Sequence, residues 1–126
     1  MPGEVTLTRA ALDFILHAAR NTYPEEFVGL LRKNKRGEIA EVLVIPQAVY
    51  GTNFSSINLY NVPYTSGHCG SIHSHPGMSA RPSRGDLAFF RVTGEVHLIV
   101  CYPYDENCVH AYGTDGKELA LKLAEP

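Results

Sequence analysis

The stretch Gly70-Ser71-Ile72-His73-Ser74-His75-Pro76 is the tightest constraint on what this chain can fold into. Bounded by glycine and proline, it is short enough for one strand and too short for a stable helix. Alternate side chains of a strand share a face, so His73 and His75 project together with Cα atoms roughly 6.5 Å apart. Two imidazoles at that spacing can converge on one ion at Zn–N distances of about 2.0–2.1 Å. Paired histidines also occur on ordinary half-exposed strands, so the motif needs a third ligand.

Asp86 is the nearest downstream candidate, in Arg81-Pro82-Ser83-Arg84-Gly85-Asp86. Ser83-x-x-Asp86 also reads as a helix capping box with Asp in place of Glu. A helix starting there, packed beside the His strand, would present Asp86 to the ion. An Asp engaged by an ion is expected not to cap fully, so the two readings conflict. Two histidines and one carboxylate leave the fourth tetrahedral position for water, the pattern of a catalytic zinc rather than a structural one. Such a site also needs a proton acceptor. Glu25 and Glu26 follow Pro24 directly, and only one of two adjacent carboxylates can face inward. The remaining histidines, His17, His68, His97 and His110, read as packing or surface residues.

The rest of the chain alternates helical and strand patterns without repeats or linkers. Ala11, Phe14, Ile15, Ala18 and Ala19 recur at the spacing of an amphipathic helix over Thr8–Thr22, with Thr8 as N-cap and Pro24 as its stop. Strands are expected at Phe27–Leu31, Glu38–Ile45, Gly70–His75, Val96–Tyr102, Cys108–Tyr112 and Glu118–Leu123, with a short one around Ser56–Tyr60. Val42-Leu43-Val44-Ile45 is apolar on both faces, which predicts a central position in the sheet. A second helix, Ser83–Thr93, closes at Gly94. The expectation is an α/β fold: one domain over residues 1–126, a mixed, mostly antiparallel β-sheet packed by two main helices. At 126 residues the chain is far shorter than the roughly 250 of a TIM barrel, which excludes metal hydrolases built on that scaffold.

Charge and composition narrow the partners. The formal net charge is −2, and the densest basic run, Arg32-Lys33-Asn34-Lys35-Arg36, reads as a solvated hairpin turn before Gly37. No nucleic-acid footprint is therefore expected. No apolar run approaches the roughly 20 residues of a membrane span. Met1-Pro2-Gly3-Glu4 lacks a basic and apolar leader, so a cytoplasmic protein with free thiols is expected. Cys101 reads as a buried apolar filler. Cys69 and Cys108 lie near chain reversals, where exposure would permit oxidation across a homodimer.

Taken together, Tyr23-Pro24-Glu25-Glu26-Phe27-Val28-Gly29-Leu30-Leu31, His73-Ser74-His75-Pro76 and Ser83-Arg84-Gly85-Asp86 resemble the JAMM/MPN+ metalloprotease pattern: a Glu near the end of the first helix, His-x-His-Pro, then Ser-x-x-Asp. The three parts occur in the family's order and spacing, and the resemblance covers essentially the whole chain. It is closest to the compact, free-standing archaeal members. It implies the MPN (cytidine-deaminase-like) fold, with one Zn²⁺ per chain held by His73, His75 and Asp86. It further implies Glu26, rather than Glu25, as general base and Ser83 as donor to the developing oxyanion.

The resemblance also implies a substrate class: bonds after the C-terminal diglycine of a ubiquitin-like modifier protein, cleaved as an isopeptidase. An extended tail would add as a strand beside the site, where only glycine is small enough to pass near the metal. The segment Asn53–Tyr60, with Asn53, Ser56, Ile57 and Tyr60, is the candidate tail-binding edge. Met78 is a candidate for the leaving-group side. Two alternatives stand beside this reading: a JAMM hydrolase of a sulfur-carrier-protein adduct, and a non-catalytic MPN scaffold. The intact set of Glu26, His73, His75, Ser83 and Asp86 argues against the scaffold.

Overall fold

A computed structural model describes residues 3–45 and 67–125. The candidate tail-binding residues Asn53, Ser56, Ile57 and Tyr60, and the expected strand around them, lie outside the described residues. Among the described residues there are seven strands: β1 (Glu4–Leu7), β2 (Val28–Lys33), β3 (Ile39–Val44), β4 (Gly70–His75), β5 (Val96–Cys101), β6 (Val109–Gly113) and β7 (Glu118–Leu123). Two helices, α1 (Arg9–Thr22) and α2 (Arg84–Thr93), and a 3-10 turn at Glu106–Cys108 complete them. No helix among the described residues is long and apolar enough to cross a membrane.

The strands form one mixed sheet in the order β1-β3-β2-β4-β5-β6-β7, and β7 returns to β1 to close it into a barrel. Closure depends on β1, which pairs in parallel with β7 from Glu4↔Ala120 to Leu7↔Leu123 and touches β3 only at Leu7↔Ile39. β1 is not among the expected strands, although Val5 and Leu7 alternate with Glu4 and Thr6 and are the two buried members. Four residues carry too little periodicity to stand out from a terminus.

Local chemistry explains most element boundaries. Thr8 caps α1, its hydroxyl accepting the Ala11 N–H at 3.1 Å. The buried stripe of α1 is Ala11, Leu12, Ile15, Leu16 and Ala19. Phe14, expected inward, is 43 % exposed and instead meets Phe27 edge-on at 6.5 Å. The helix is rotated because Leu12 and Leu16 together bury more branched aliphatic surface against the core than Phe14 and Ala18 would.

Two further expectations are corrected. Arg32 and Lys33 belong to β2, not to the hairpin turn. The turn is Asn34–Gly37, stapled by the Asn34 side chain, which accepts the Arg36 and Glu38 N–H groups. Val42–Ile45 is not enclosed on both faces: Val42 and Leu43 are half-buried and Val44 is 51 % exposed. Among the described residues, β3 beyond Ile39 has β2 as its sheet neighbour but not β1, which leaves its second half less enclosed than a central strand.

The cysteines divide similarly. Cys101 is buried, as expected, and Cys69 is half-buried. Cys108, expected near the surface, is buried, and its thiol donates to Asp105 Oδ1 at 3.3 Å. All three thiols are free.

Candidate metal centre

The site forms where β4 ends against the N-terminus of α2. Strand β4 lies between β2 and β5, with His73 opposite Val28 on one side and Ile99 on the other. His73 is therefore fully buried, while the His75 side chain, at the strand end, keeps 17 % of its exposure. The strand period turns both rings to one face, and their Nε2 atoms are 3.1 Å apart.

Asp86 completes the triad from α2. Its Oδ2 lies 3.1 Å from His75 Nε2 and its Oδ1 lies 3.1 Å from His73 Nε2. Tetrahedral ligands at Zn–N and Zn–O distances of about 2.0–2.1 Å stand about 3.3 Å from one another, so these separations are those of a ligand set. His75 Nδ1 is 2.9 Å from the Ser79 carbonyl, which can only accept; Nδ1 therefore carries the proton and Nε2 presents its lone pair inward. Asp86 Oδ1 is buried with no hydrogen-bond partner. Acceptor atoms aimed at one point call for a positive charge between them, so the donor set fits a divalent cation.

The capping box and the His-His-Asp geometry share one carboxylate in the ion-free chain. Ser83 Oγ accepts the Asp86 N–H at 3.1 Å, and Asp86 Oδ2 accepts the Ser83 N–H at 2.8 Å. That leaves Oδ1 uncommitted, and a carboxylate has lone pairs enough for both tasks. Ser83 itself is exposed, and its hydroxyl, accepting from Asp86, still has its own proton to donate.

The intervening loop is pinned at three carbonyls. Gly77 O accepts the Tyr102 N–H at 2.9 Å, Ser79 O accepts from His75, and Ala80 O accepts the Tyr112 hydroxyl at 2.7 Å. These bonds hold α2, and so Asp86, in place relative to β4. Met78 is 80 % exposed at the loop tip.

Glu26 enters from the other side. Phe27 is locked to the residue between the two histidines: its N–H donates to Ser74 Oγ at 2.8 Å and its carbonyl accepts the Ser74 N–H at 2.9 Å. Glu26 is thereby half-buried, whereas Glu25 is exposed. Burial raises the Glu26 pKa and the Asp86 charge adds to the rise, while His73 and His75 oppose it. The field of the triad therefore reaches Glu26.

The triad's own electrostatics follow from the same contacts. Burial alone would raise the Asp86 pKa, but the two imidazoles beside its oxygens and the Ser83 N–H hold it well below the usual carboxylate range. Burial would lower that of His75, and the Asp86 carboxylate with the Ser79 carbonyl outweighs it and raises the pKa.

Three residues of this neighbourhood were not singled out from the sequence. Ser74 reads as an unremarkable spacer between histidines, and Ser79 acts through its main chain, which leaves no side-chain signature. Tyr104, in the connection between β5 and β6, is only 2 % exposed, and its hydroxyl donates to the His75 carbonyl at 3.1 Å. His97 is buried as a packing residue, as expected, stacked on Phe90 with ring centroids 4.2 Å apart.

A closed mixed barrel carrying a His-His-Asp triad, able to hold a metal, between a strand end and a helix start defines a domain of the JAB1/MPN type. The chain belongs to the prokaryotic homologs of the JAB domain, whose family model matches residues 8–112. It is 34 % identical over 130 residues to a Haloferax volcanii protein described as "Probable metalloprotease", covering 96 % of this chain and 80 % of that protein. Among solved structures it is similar to a JAB1/MPN domain protein from Archaeoglobus fulgidus, at 36 % identity and a TM-score of 0.78, covering 96 % of this chain and 100 % of that one. It is also similar to the structure described as "JAMM: A Metalloprotease-like Zinc Site in the Proteasome and Signalosome", at 34 % identity and a TM-score of 0.76, over 96 % of this chain and 98 % of that one. The chain is a JAMM/MPN+ domain with the MPN fold.

Proposed function

We propose that this protein is a zinc-dependent metalloprotease of isopeptidase type, which hydrolyses the bond after the C-terminal diglycine of a ubiquitin-like modifier. The observation that carries the reading is the convergence of His73, His75 and Asp86 on one point, with mutual separations of 3.1 Å, in reach of the Glu26 field. The likeness to a probable metalloprotease and to a metalloprotease-like zinc site supports the same chemistry.

His73, His75 and Asp86 would hold the ion, and a bound Zn²⁺ supplies Lewis acidity, acidifying water and polarising an acyl carbonyl. Glu26 accepts the proton of the attacking water and returns it to the leaving amine. Its raised pKa suits both halves of that exchange better than an ordinary carboxylate would. Ser83 donates its hydroxyl to the oxygen on which negative charge develops, a contribution of about 3 kcal/mol for one well-placed donor. Ser74 fixes Glu26 through Phe27, and Ser79 fixes the His75 ring. The modifier partner and its Gly-Gly tail rest on the family resemblance, with Met78 offered to the leaving-group side and Asn53, Ser56, Ile57 and Tyr60 to the tail.

The test is a set of small modifier proteins fused through Gly-Gly to a reporter, incubated with zinc-loaded protein. Cleavage should follow the second glycine, stop with a chelator and return with zinc. If no fusion is cut in a chelator-sensitive way while zinc is bound stoichiometrically, the substrate assignment fails and a sulfur-carrier adduct becomes the next candidate.

A further inference from the structure

We infer that Tyr104 is a positioning residue of the metal centre, holding His75 in ligating position by bonding its main-chain carbonyl. The inference rests on the reading of His73, His75 and Asp86 as ligands and adds a residue outside that set.

The two histidines are not supported equally. His73 lies inside the sheet, with β2 on one side and β5 on the other. Among the described residues, His75 lies beyond the last β2 pairing, Val28↔His73, and has Cys101 of β5 as its one sheet neighbour. A strand end with one neighbour frays more readily than a strand centre, and a ligand must be held far more tightly than a fraying backbone allows. The Ser79 carbonyl orients the His75 ring but does nothing for its main chain. On the described residues the Tyr104 hydroxyl fills that gap, donating to the His75 carbonyl at 3.1 Å.

Tyr104 is itself held more firmly than a packing residue needs. Its φ of 67° lies in the left-handed region, which a bulky aromatic residue disfavours. Its N–H donates to the Cys101 carbonyl at 2.9 Å, and its own carbonyl accepts Arg20 Nη2 from α1 at 2.8 Å. Its ring packs edge-on against Tyr23 at 6.0 Å and Tyr102 at 5.7 Å. Main chain bent against preference and over-determined by bonds is a pattern found at functional sites. A buried aromatic ring alone would need no hydroxyl, and here the hydroxyl meets the backbone of a ligand residue. Through Arg20 and Tyr23, the same tyrosine ties His75 to the helix that leads into Glu26.

The test is Tyr104→Phe, which removes the hydroxyl and leaves the ring. Zinc affinity is measured by competition with a chromophoric chelator, and ligand geometry by the visible absorption of the cobalt(II)-loaded protein. The variant should bind zinc about tenfold more weakly, shift or weaken the cobalt bands, and lower kcat with KM unchanged. Arg20→Met keeps the hydroxyl but frees the Tyr104 carbonyl, and should move affinity and cobalt bands in the same direction by a smaller factor. It carries the test if Tyr104→Phe does not fold. Affinity within twofold of the parent, with identical cobalt bands, overturns the inference. A parent protein that takes up neither metal overturns the ligand reading itself, and this inference with it.

Discussion

Asp86 and Ser83 bond each other reciprocally, at 2.8 and 3.1 Å, while both carboxylate oxygens of Asp86 also lie 3.1 Å from a histidine nitrogen. One side chain thus starts a helix and closes a ligand triad. The cap fixes the carboxylate plane before any ion binds, so the site is organised by the same bonds that begin α2.

Separating those two tasks is a direct prediction. Asp86→Asn keeps an oxygen for the Ser83 N–H but loses the charge; Asp86→Ala loses both. Zinc affinity should fall at least about 100-fold in each, since a ligand and its charge are lost. In chelator-treated protein, Asp86→Ala should be less stable than Asp86→Asn by about 1 kcal/mol, the usual worth of a cap contact. Equal denaturation midpoints for the two would show that the cap contributes nothing here.

Glu26→Gln should lower kcat by roughly 10²–10⁴-fold with little change in zinc affinity. Burial raises the pKa of Glu26, so the folded state holds its proton to higher pH than the unfolded state. Ionising it therefore costs stability above the folded pKa, and below the unfolded value the penalty vanishes. The metal-free Gln variant should accordingly melt higher than the parent at neutral pH, and the gain should shrink below about pH 4. In the parent, kcat/KM should rise with pH on a limb that disappears in Glu26→Gln. Glu25→Gln should leave both profiles unchanged.

His97 supplies an acid-sensitivity prediction. Burial lowers its pKa to about 4, against hydrogen bonds at main-chain carbonyls that favour its charged form. Its Nε2–H donates to the Gly94 carbonyl at 2.9 Å, so Nδ1 accepts the Ser71 hydroxyl at 2.7 Å in the neutral ring. Between about pH 6.5 and 4 the unfolded chain takes up a proton that the folded one refuses. Stability should therefore fall across that window as pH drops, by up to about 3 kcal/mol. Denaturant titrations across the window in the parent and in His97→Gln measure it. An equally steep loss in the variant would assign it elsewhere.

Gly70→Ala should destabilise the fold by about 3 kcal/mol or more. A Cβ there would sit 1.5 Å from the Val96 carbonyl oxygen, a main-chain atom that no rotamer change can move aside. Since β4 and β5 would have to part at the base of the strand that carries both histidines, zinc affinity should fall as well. A Gly70→Ala protein with parental melting and zinc binding would contradict the close approach.

The candidate metal triad is legible in the sequence because each part of it is local. His73 and His75 share a face through the strand period, and Ser83 and Asp86 are joined by one helical turn. The helices and six of the seven described strands announced themselves through periodicity and turn residues for the same reason. What tertiary structure decided is which of those pieces meet. Barrel closure needed β1 to find β7 across almost the whole chain, and four residues carry no instruction about so distant a partner. The inward turn of Glu26 rather than Glu25 comes from Ser74 gripping Phe27, 47 positions away. The bond from Tyr104 to the His75 carbonyl comes from the connection between β5 and β6, whose residues carry no periodic signal. Side-chain order along a chain fixes the local period, but the direction in which a carboxylate or hydroxyl finally points is set by contacts between segments that only packing brings together.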